Sequence, residues 1–257
     1  MKLVIEDGFW DIFPDARIGV AVCKGVENTY SDKAFFEDTL RSAEMKAISR
    51  LGDGNLTEKP EIKIWREAFT KFKTKKGARS SVEALLKRVV GGNQLRCINP
   101  LVDLYNSISL KYGLPCGGED IDKFKGDLRL GLALGEEHFI PLGDRESSPP
   151  YPGEVAYLDD EGAVCRCWNW REAERTMLTE DTKNAFLCIE IPDSSKLKDL
   201  ESAVEELSQL VFENLGGCCH YFILDRNNSE YILTENEDNI RKAGMYSGSR
   251  RQNRRSQ

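Results

Sequence analysis

The chain has 257 residues, 40% apolar and 31% charged, with a formal net charge of −7, which suits a soluble globular protein with room for a real core. No apolar run approaches the roughly 20 residues of a membrane helix, and the opening MKLVIEDGFWDIF lacks a signal-peptide core, so a cytoplasmic protein with no membrane partner is expected. Eight cysteines with no CxxC pair, and only His138 and His220 beside them, argue for buried reduced thiols and against a disulfide framework or a metal site.

The charge is segregated. Residues 71–96 carry Lys71, Lys73, Lys75, Lys76, Arg79, Lys87, Arg88 and Arg96 against Glu83 alone, and the last 17 residues add six basic side chains and no acid. An acidic body with a basic stripe is either a solvated helical face or a surface that meets a polyanion.

In chain order, Leu3–Ile5 and Ile18–Val26 read as strands, the second apolar on both faces. Ser31 can cap a helix running to Leu51 and closed by Gly52. Ile64, Trp65, Ala68, Phe69 and Phe72 form a core-facing helical stripe after Pro60. Ser80 or Ser81 caps a helix whose apolar face is Val82, Leu85, Leu86 and Val89, stopped at Gly91-Gly92. Asn99-Pro100 starts another, with Leu101, Leu104, Tyr105 and Ile108 pointing one way. Its polar residues are short: Asp103 and Asn106 share a face and Ser107 and Ser109 flank it. They either tie loops to the helix or floor a polar pocket.

Strands and turns follow. Asp127–Leu134 alternates, and Phe139–Leu142 precedes the turn-rich GDRESSPPYPG, read as mobile or as a lid. Glu154–Leu158 and Ala163–Trp168 form a hairpin around DDEG, with Cys165 and Cys167 on one face. Ala185–Ile191 is a strand. Ser194 or Ser195 caps a long helix to Leu215. Cys219–Leu224 and Glu230–Thr234 make a last hairpin around RNN. From about Ile240 the chain is polar, basic and expected to be disordered. The class is α+β, with a single domain over 1–240 that includes an N-terminal strand and helix extension, and a basic tail over 241–257.

A second polar cluster is CRCWNWREAERT, residues 165–176. Arg171 and Arg175 can pair with acids or phosphate. Trp168 and Trp170 can stack on a base or wall a small pocket. There is no GxSxG, P-loop, GxGxxG or HExxH, and two histidines leave little scope for a Ser-His-Asp site.

The blocks Asn99, Leu101-Val102-Asp103, Asn106, Gly113-Leu114-Pro115, Gly117-Gly118-Glu119-Asp120 and Asp122-Lys123 follow one another as in a known family. So do Arg129–Gly143 and Thr182-Lys183-Asn184. Residues 80–190 thereby resemble the B3/B4 editing domain of the phenylalanyl-tRNA synthetase β chain, and the RSSVEALL, INPLVDLYN, GGED and NWRE blocks resemble free-standing proteins of this type. The resemblance implies mixed β-sheets with flanking helices around a cleft that hydrolyses a misattached amino acid from tRNA. In the synthetase that pocket removes tyrosine from a phenylalanine tRNA. The family's pocket histidine falls on Gly117, its small Gly-Gly wall falls near Trp168 and Asn169, and the glutamate that reads the tyrosine hydroxyl falls at Cys188 or Glu190.

The expectation is therefore a stand-alone, trans-editing aminoacyl-tRNA deacylase without cofactor or metal. A non-catalytic tRNA- or RNA-binding module of the same fold is the alternative, and a binder of free amino acids is a third reading. No synthetic domain is recognisable, so a complete ligase is not expected. An aminoacyl ester is already activated, and a positioned water, a carboxylate and oxyanion donors suffice to cleave it. Glu119, Asp120 and Asn169 are the catalytic candidates. Asp103, Asn106, Gly117, Gly118, Glu154, Trp168, Trp170, Arg171 and Glu190 are the substrate-binding ones, with the two tryptophans expected to keep the site small. Lys73, Lys75, Lys76, Arg79, Lys87 and Arg88 would meet the tRNA acceptor arm.

Overall fold

The computed structural model describes residues 1–234; the basic tail lies outside the described residues. Two sheets and six helices alternate along the chain as β1 (Lys2–Ile5), α1 (Asp7–Ile12), β2 (Arg17–Lys24), α2 (Lys33–Leu51), α3 (Pro60–Ala68), α4 (Ser81–Val90), α5 (Pro100–Tyr112), β3 (Cys116–Asp120), β4 (Leu128–Leu132), β5 (Val155–Leu158), β6 (Ala163–Arg166), β7 (Arg171–Glu172), β8 (Asn184–Ile191), α6 (Leu197–Leu215), β9 (Cys218–Leu224) and β10 (Glu230–Ile232). The α+β class is as expected. No helix among the described residues is long and apolar enough to cross a membrane.

One sheet has four strands in the order β3-β8-β2-β9, and the other has six in the order β10-β1-β4-β5-β6-β7. The continuous apolar runs of β2 and β8 explain their central places, since each buries both faces. Along β8, Ala185, Leu187, Ile189 and Ile191 join a core with α5 and α6. Phe186 and Cys188, on the opposite face, join the core shared with the six-stranded sheet, α1, α3 and α4. Leu200, Val204, Leu207 and Val211 of α6 are fully buried, and each such side chain contributes about 1.5–3 kcal/mol by leaving water.

Ser80, rather than Ser81, caps α4 by accepting from Glu83 N. Asp32, rather than Ser31, caps α2. Asn99 caps α5: its Oδ1 accepts from Val102 N and from Asn28 Nδ2, both at 3.1 Å, and its Nδ2 donates to Leu178 O at 3.2 Å. Asn99→Ala is expected to cost about 2–3 kcal/mol, because it removes a cap and strands buried polar groups on two other segments. A urea midpoint lowered at constant m-value checks it.

Three expectations are corrected. The stripe after Pro60 stops at Ala68 as helix, and Phe69 and Phe72 pack from the loop beyond it. Cys219–Leu224 and Glu230–Thr234 do not pair as a hairpin. Around the Asp225–Asn228 turn the chain passes from β9 in one sheet to β10, which pairs antiparallel with β1 in the other. The turn-rich 143–153 stretch is tied down rather than poised as a lid: Arg166 donates to Ser148 O at 2.6 Å and its guanidinium lies 5.6 Å from the Tyr151 ring.

Candidate functional site

Between the two sheets and the α4–α5 pair lies a cavity of about 460 Å³. Its floor comes from β3 and β8, which run side by side with Gly117 opposite Cys188 and Glu119 opposite Phe186. Gly117, Glu119, Cys188 and Glu190 therefore look into the hollow, and the intervening residues look into the helical core. Asn106 and Tyr105 of α5, Ser81 of α4, and the Trp168–Glu172 segment complete the wall. The aspartate–asparagine helix and the tryptophan–arginine segment thus do meet over one hollow, through Asn106 and not through Asp103.

Three of the sequence-selected acids lie outside it. Asp103 is buried and committed to Tyr30 Oη at 2.6 Å and Ile98 N at 3.0 Å, so it ties loops to α5. Asp120 accepts from Thr182 Oγ1 and Asp122 N, at 2.9 and 3.0 Å, on the face of β3 away from Glu119. Glu154 is fully buried, with Arg166 donating to both its oxygens and Cys167 N and Tyr151 N filling the rest. Burial alone would raise its pKa, but the Arg166 bonds and charge bring it below the ordinary value. None of these three is placed to touch a ligand in the cavity.

Asn106, Gly117, Gly118, Glu119, Trp168, Asn169, Trp170, Arg171 and Glu190 do line it. Gly118 is closely covered: a Cβ there would stand 2.6 Å from Leu187 Cδ2 and 2.9 Å from Leu178 Cδ1, so a larger residue would have to displace both leucine side chains. Glu190 accepts from Tyr157 Oη (2.5 Å), Trp168 Nε1 (2.8 Å) and Asn169 Nδ2 (2.7 Å). Burial raises its pKa to about 7 against those three donors. Cys188 and Glu190, two apart on β8, both face the hollow, so the choice between them is no choice. Glu119 is pushed well above the ordinary carboxylate range by burial and by the nearby Glu172.

Trp168 and Trp170 both line the hollow. Trp168 is fully buried, with its indole among Phe9, Phe13 and Trp65 at centroid distances of 4.9, 4.6 and 4.8 Å. The backbone makes this possible, because Cys167 and Trp168 hold φ values of +45° and +64°, a left-handed turn that costs non-glycine residues of order 1 kcal/mol each. The same turn takes Cys167 out of β6, so Cys165 faces the cavity and Cys167 does not share its face. Arg171 stays at the rim, its guanidinium over the Trp170 ring at 5.4 Å. Arg175 is committed to Asp159.

One residue went unread. Glu172, two positions after Trp170 and so on the same face of an extended segment, projects beside Gly117: a Cβ on that glycine would lie 3.2 Å from Glu172 Oε1. The same oxygen receives Gly118 N–H at 3.4 Å. Burial lifts its pKa to about 7, the glycine N–H opposing that rise. Its period-two spacing from Trp170 was the available signal.

The basic residues adjoin this wall. Lys73, Lys76, Lys87 and Arg88 are exposed, and Lys75 and Arg79 are half-buried. Lys75 Nζ donates to Ser148 Oγ at 3.0 Å. Arg79 and Lys87 border a second hollow of about 390 Å³ beside α4, and Ser81 N at the start of that helix donates to Asn169 O at 3.1 Å.

Comparison with known proteins bears on this site. Residues 64–213 match the B3/4 domain family. The chain is 37% identical over 93 residues to the phenylalanine–tRNA ligase β subunit of Ruegeria pomeroyi, covering 36% of this chain and 11% of that one. It is 29% identical over 100 residues to the Mycoplasma pneumoniae β subunit, covering 39% and 12%. The matched part thus spans about a tenth of the length of these curated relatives. Among solved structures, an N-terminal fragment of the phenylalanyl-tRNA synthetase β subunit from Pyrococcus horikoshii aligns at a TM-score of 0.48 and 16% identity, covering 94% of this chain and 59% of that one.

Proposed function

From the premise that this chain belongs to the B3/4 domain family, we propose that it is a trans-editing hydrolase that releases an amino acid from a mischarged tRNA. One observation carries the reading: Glu172 places a carboxylate with a pKa of about 7 in the space beside Gly117, the position where the family resemblance puts a pocket histidine. A base poised near neutrality is suited to take a proton from the attacking water. Gly118 N–H orients that carboxylate, and Asn169 lines the same hollow with its Nδ2 donating to Glu190, so the second N–H of that amide is what it would offer an oxyanion. The cavity volume accommodates an amino acid on its terminal ribose. Asp120, a catalytic candidate by sequence, has no part in this arrangement.

The basic segment supports a tRNA partner, since it begins at the cavity wall and carries exposed charge outward along α4. Replacing Lys73, Lys76, Lys87 and Arg88 by alanine is expected to weaken tRNA binding. The slope of log affinity against log salt should fall by about 0.7–0.9 for each phosphate that is no longer neutralised. Binding titrations between about 50 and 200 mM salt read this directly.

The decisive experiment is deacylation of a panel of mischarged tRNAs. Release well above the uncatalysed rate for at least one of them supports the hydrolase. Tight tRNA binding with no release from any would favour the alternative, a tRNA- or RNA-binding module, for which the absent histidine at Gly117 is the argument. Binding of free amino acids with no affinity for tRNA would favour the third reading.

A further inference from the structure

The deacylase reading accounts for the first hollow and leaves the second unassigned. That second hollow, of about 390 Å³, lies between α3 and α4 and takes residues 77–80 into its wall. Its cationic side chains are Arg66, Arg79 and Lys87, and its one acid is Glu83. Glu83 is already neutralised, because Arg66 donates to both its oxygens at 3.1 and 2.6 Å. Arg79 and Lys87 make no ion pair or side-chain hydrogen bond among the described residues. Two positive charges therefore face this hollow without a counter-charge. Arg79 is moreover half-buried, so its guanidinium is less screened and gains more from an anion than an exposed lysine does.

Two features say which anion. A guanidinium presents a planar fork that matches phosphate oxygens, and a lysine beside it adds a point charge. The two hollows also share a wall. Ser81 lines the first and Ser80 the second, and the Trp65 ring of the second lies 4.8 Å from the Trp168 ring of the first. An RNA strand whose last ribose sits in the first hollow, and whose chain leaves past Ser81, comes to the second hollow next. We propose that the second hollow holds one of the last two bridging phosphates of the tRNA 3′ end, with Arg79 as its main partner and Lys87 as its second. Trp65 and Phe69 are 1% and 9% exposed, too covered to stack on a base, so the contact is to the backbone and carries no sequence information. It sets how far the terminal ribose enters the first hollow, since phosphate and ester are joined by one or two nucleotides.

This inference rests on the deacylase reading, and its test is separable from deacylation. The probe is an acceptor-stem RNA minihelix ending in CCA, with a neutral methylphosphonate at the last linkage, at the one before it, or at a linkage inside the stem. Fluorescence anisotropy measures its affinity for the full chain. A neutral linkage at one of the last two positions should weaken binding at least about tenfold, the scale of one charge-assisted hydrogen bond, and more than one in the stem does. In Arg79→Gln, with an unchanged near-ultraviolet circular dichroism spectrum, that loss should fall below about threefold, and the exposed Lys87→Gln should reduce it as well. Equal losses at all three positions, or a loss that persists in both variants, overturn the inference and leave the deacylase reading standing. Adenosine 5′-monophosphate or inorganic phosphate that binds more tightly than the minihelix, and is lost in Arg79→Gln, would make this a site for a free phosphate and overturn the inference. A minihelix that does not bind overturns it alone if a mischarged tRNA is still hydrolysed, and together with the deacylase reading if none is.

Discussion

Glu172→Gln should lower the deacylation rate by about 10²–10⁴-fold, the usual contribution of a positioned general base, while leaving the protein at least as stable as before, and more stable near neutral pH. The two halves of that expectation have different origins. Catalysis needs the ionised carboxylate, and glutamine cannot accept the proton. Stability does not need it, because burial disfavours the charge: the pKa stands at about 7, so folding holds the proton more tightly than the unfolded chain does. A raised carboxylate pKa means that stability falls as pH climbs from the ordinary value of 4.5 toward about 7, and the amide removes that loss. Activity runs the other way. The base is protonated and idle at pH 5, and the rate rises through about 7 to a plateau. In Glu172→Gln the residual rate should lose this inflection.

Glu190 titrates in the same range and provides the contrast. Its carboxylate gathers Tyr157, Trp168 and Asn169, so Glu190→Gln should lower the melting temperature as well as the rate. Full activity in Glu172→Gln, with the inflection intact, would remove Glu172 from the reaction.

The parts of this molecule that were legible in the sequence are those governed by neighbours in the chain. Ser80 and Asn99 cap their helices because a side-chain oxygen reaches an amide three residues on. The β2 run announced a strand apolar on both faces because its apolar residues are continuous, and the β8 run announced a strand. What could not be read depends on partners far away. β3 is CGGED, a poor strand by propensity, and it exists because β8 offers it a ladder, with Gly118 letting Leu187 and Leu178 pack close over it. Asp103 and Glu119 looked alike as acids near a pocket. Tyr30, 73 positions away, claims the first, whereas an oxygen of the second has no partner. The Asn169–Glu172 segment was singled out for its aromatic and charged content, but which acid faced the cavity depended on the left-handed turn at Cys167-Trp168. Local pattern favours glycine at such φ values, so neither residue gave notice of it.

That turn is held by a buried ion pair, and removing half of the pair should produce the largest loss of stability expected here. Arg166→Met is expected to cost about 3–5 kcal/mol, the range for stranding one charge of a buried pair. The side chains of Arg166 and Glu154 are 2% and 0% exposed, and their bonds measure 2.9 and 2.7 Å. Methionine fills much of the arginine's volume, so the loss would come from Glu154, left with only the Cys167 and Tyr151 amides. Arg166 also pins the 143–153 stretch through Ser148 O, and Glu154 accepts from Cys167 N at the start of the left-handed turn. The variant should therefore release Trp168 and Asn169 from their places and lose activity together with stability. Glu154→Gln combined with Arg166→Met should recover a substantial part of the loss, because no buried charge is then left alone. Urea unfolding of the two single variants and the double variant measures the coupling, and additive losses would mean that the pair does not hold the turn.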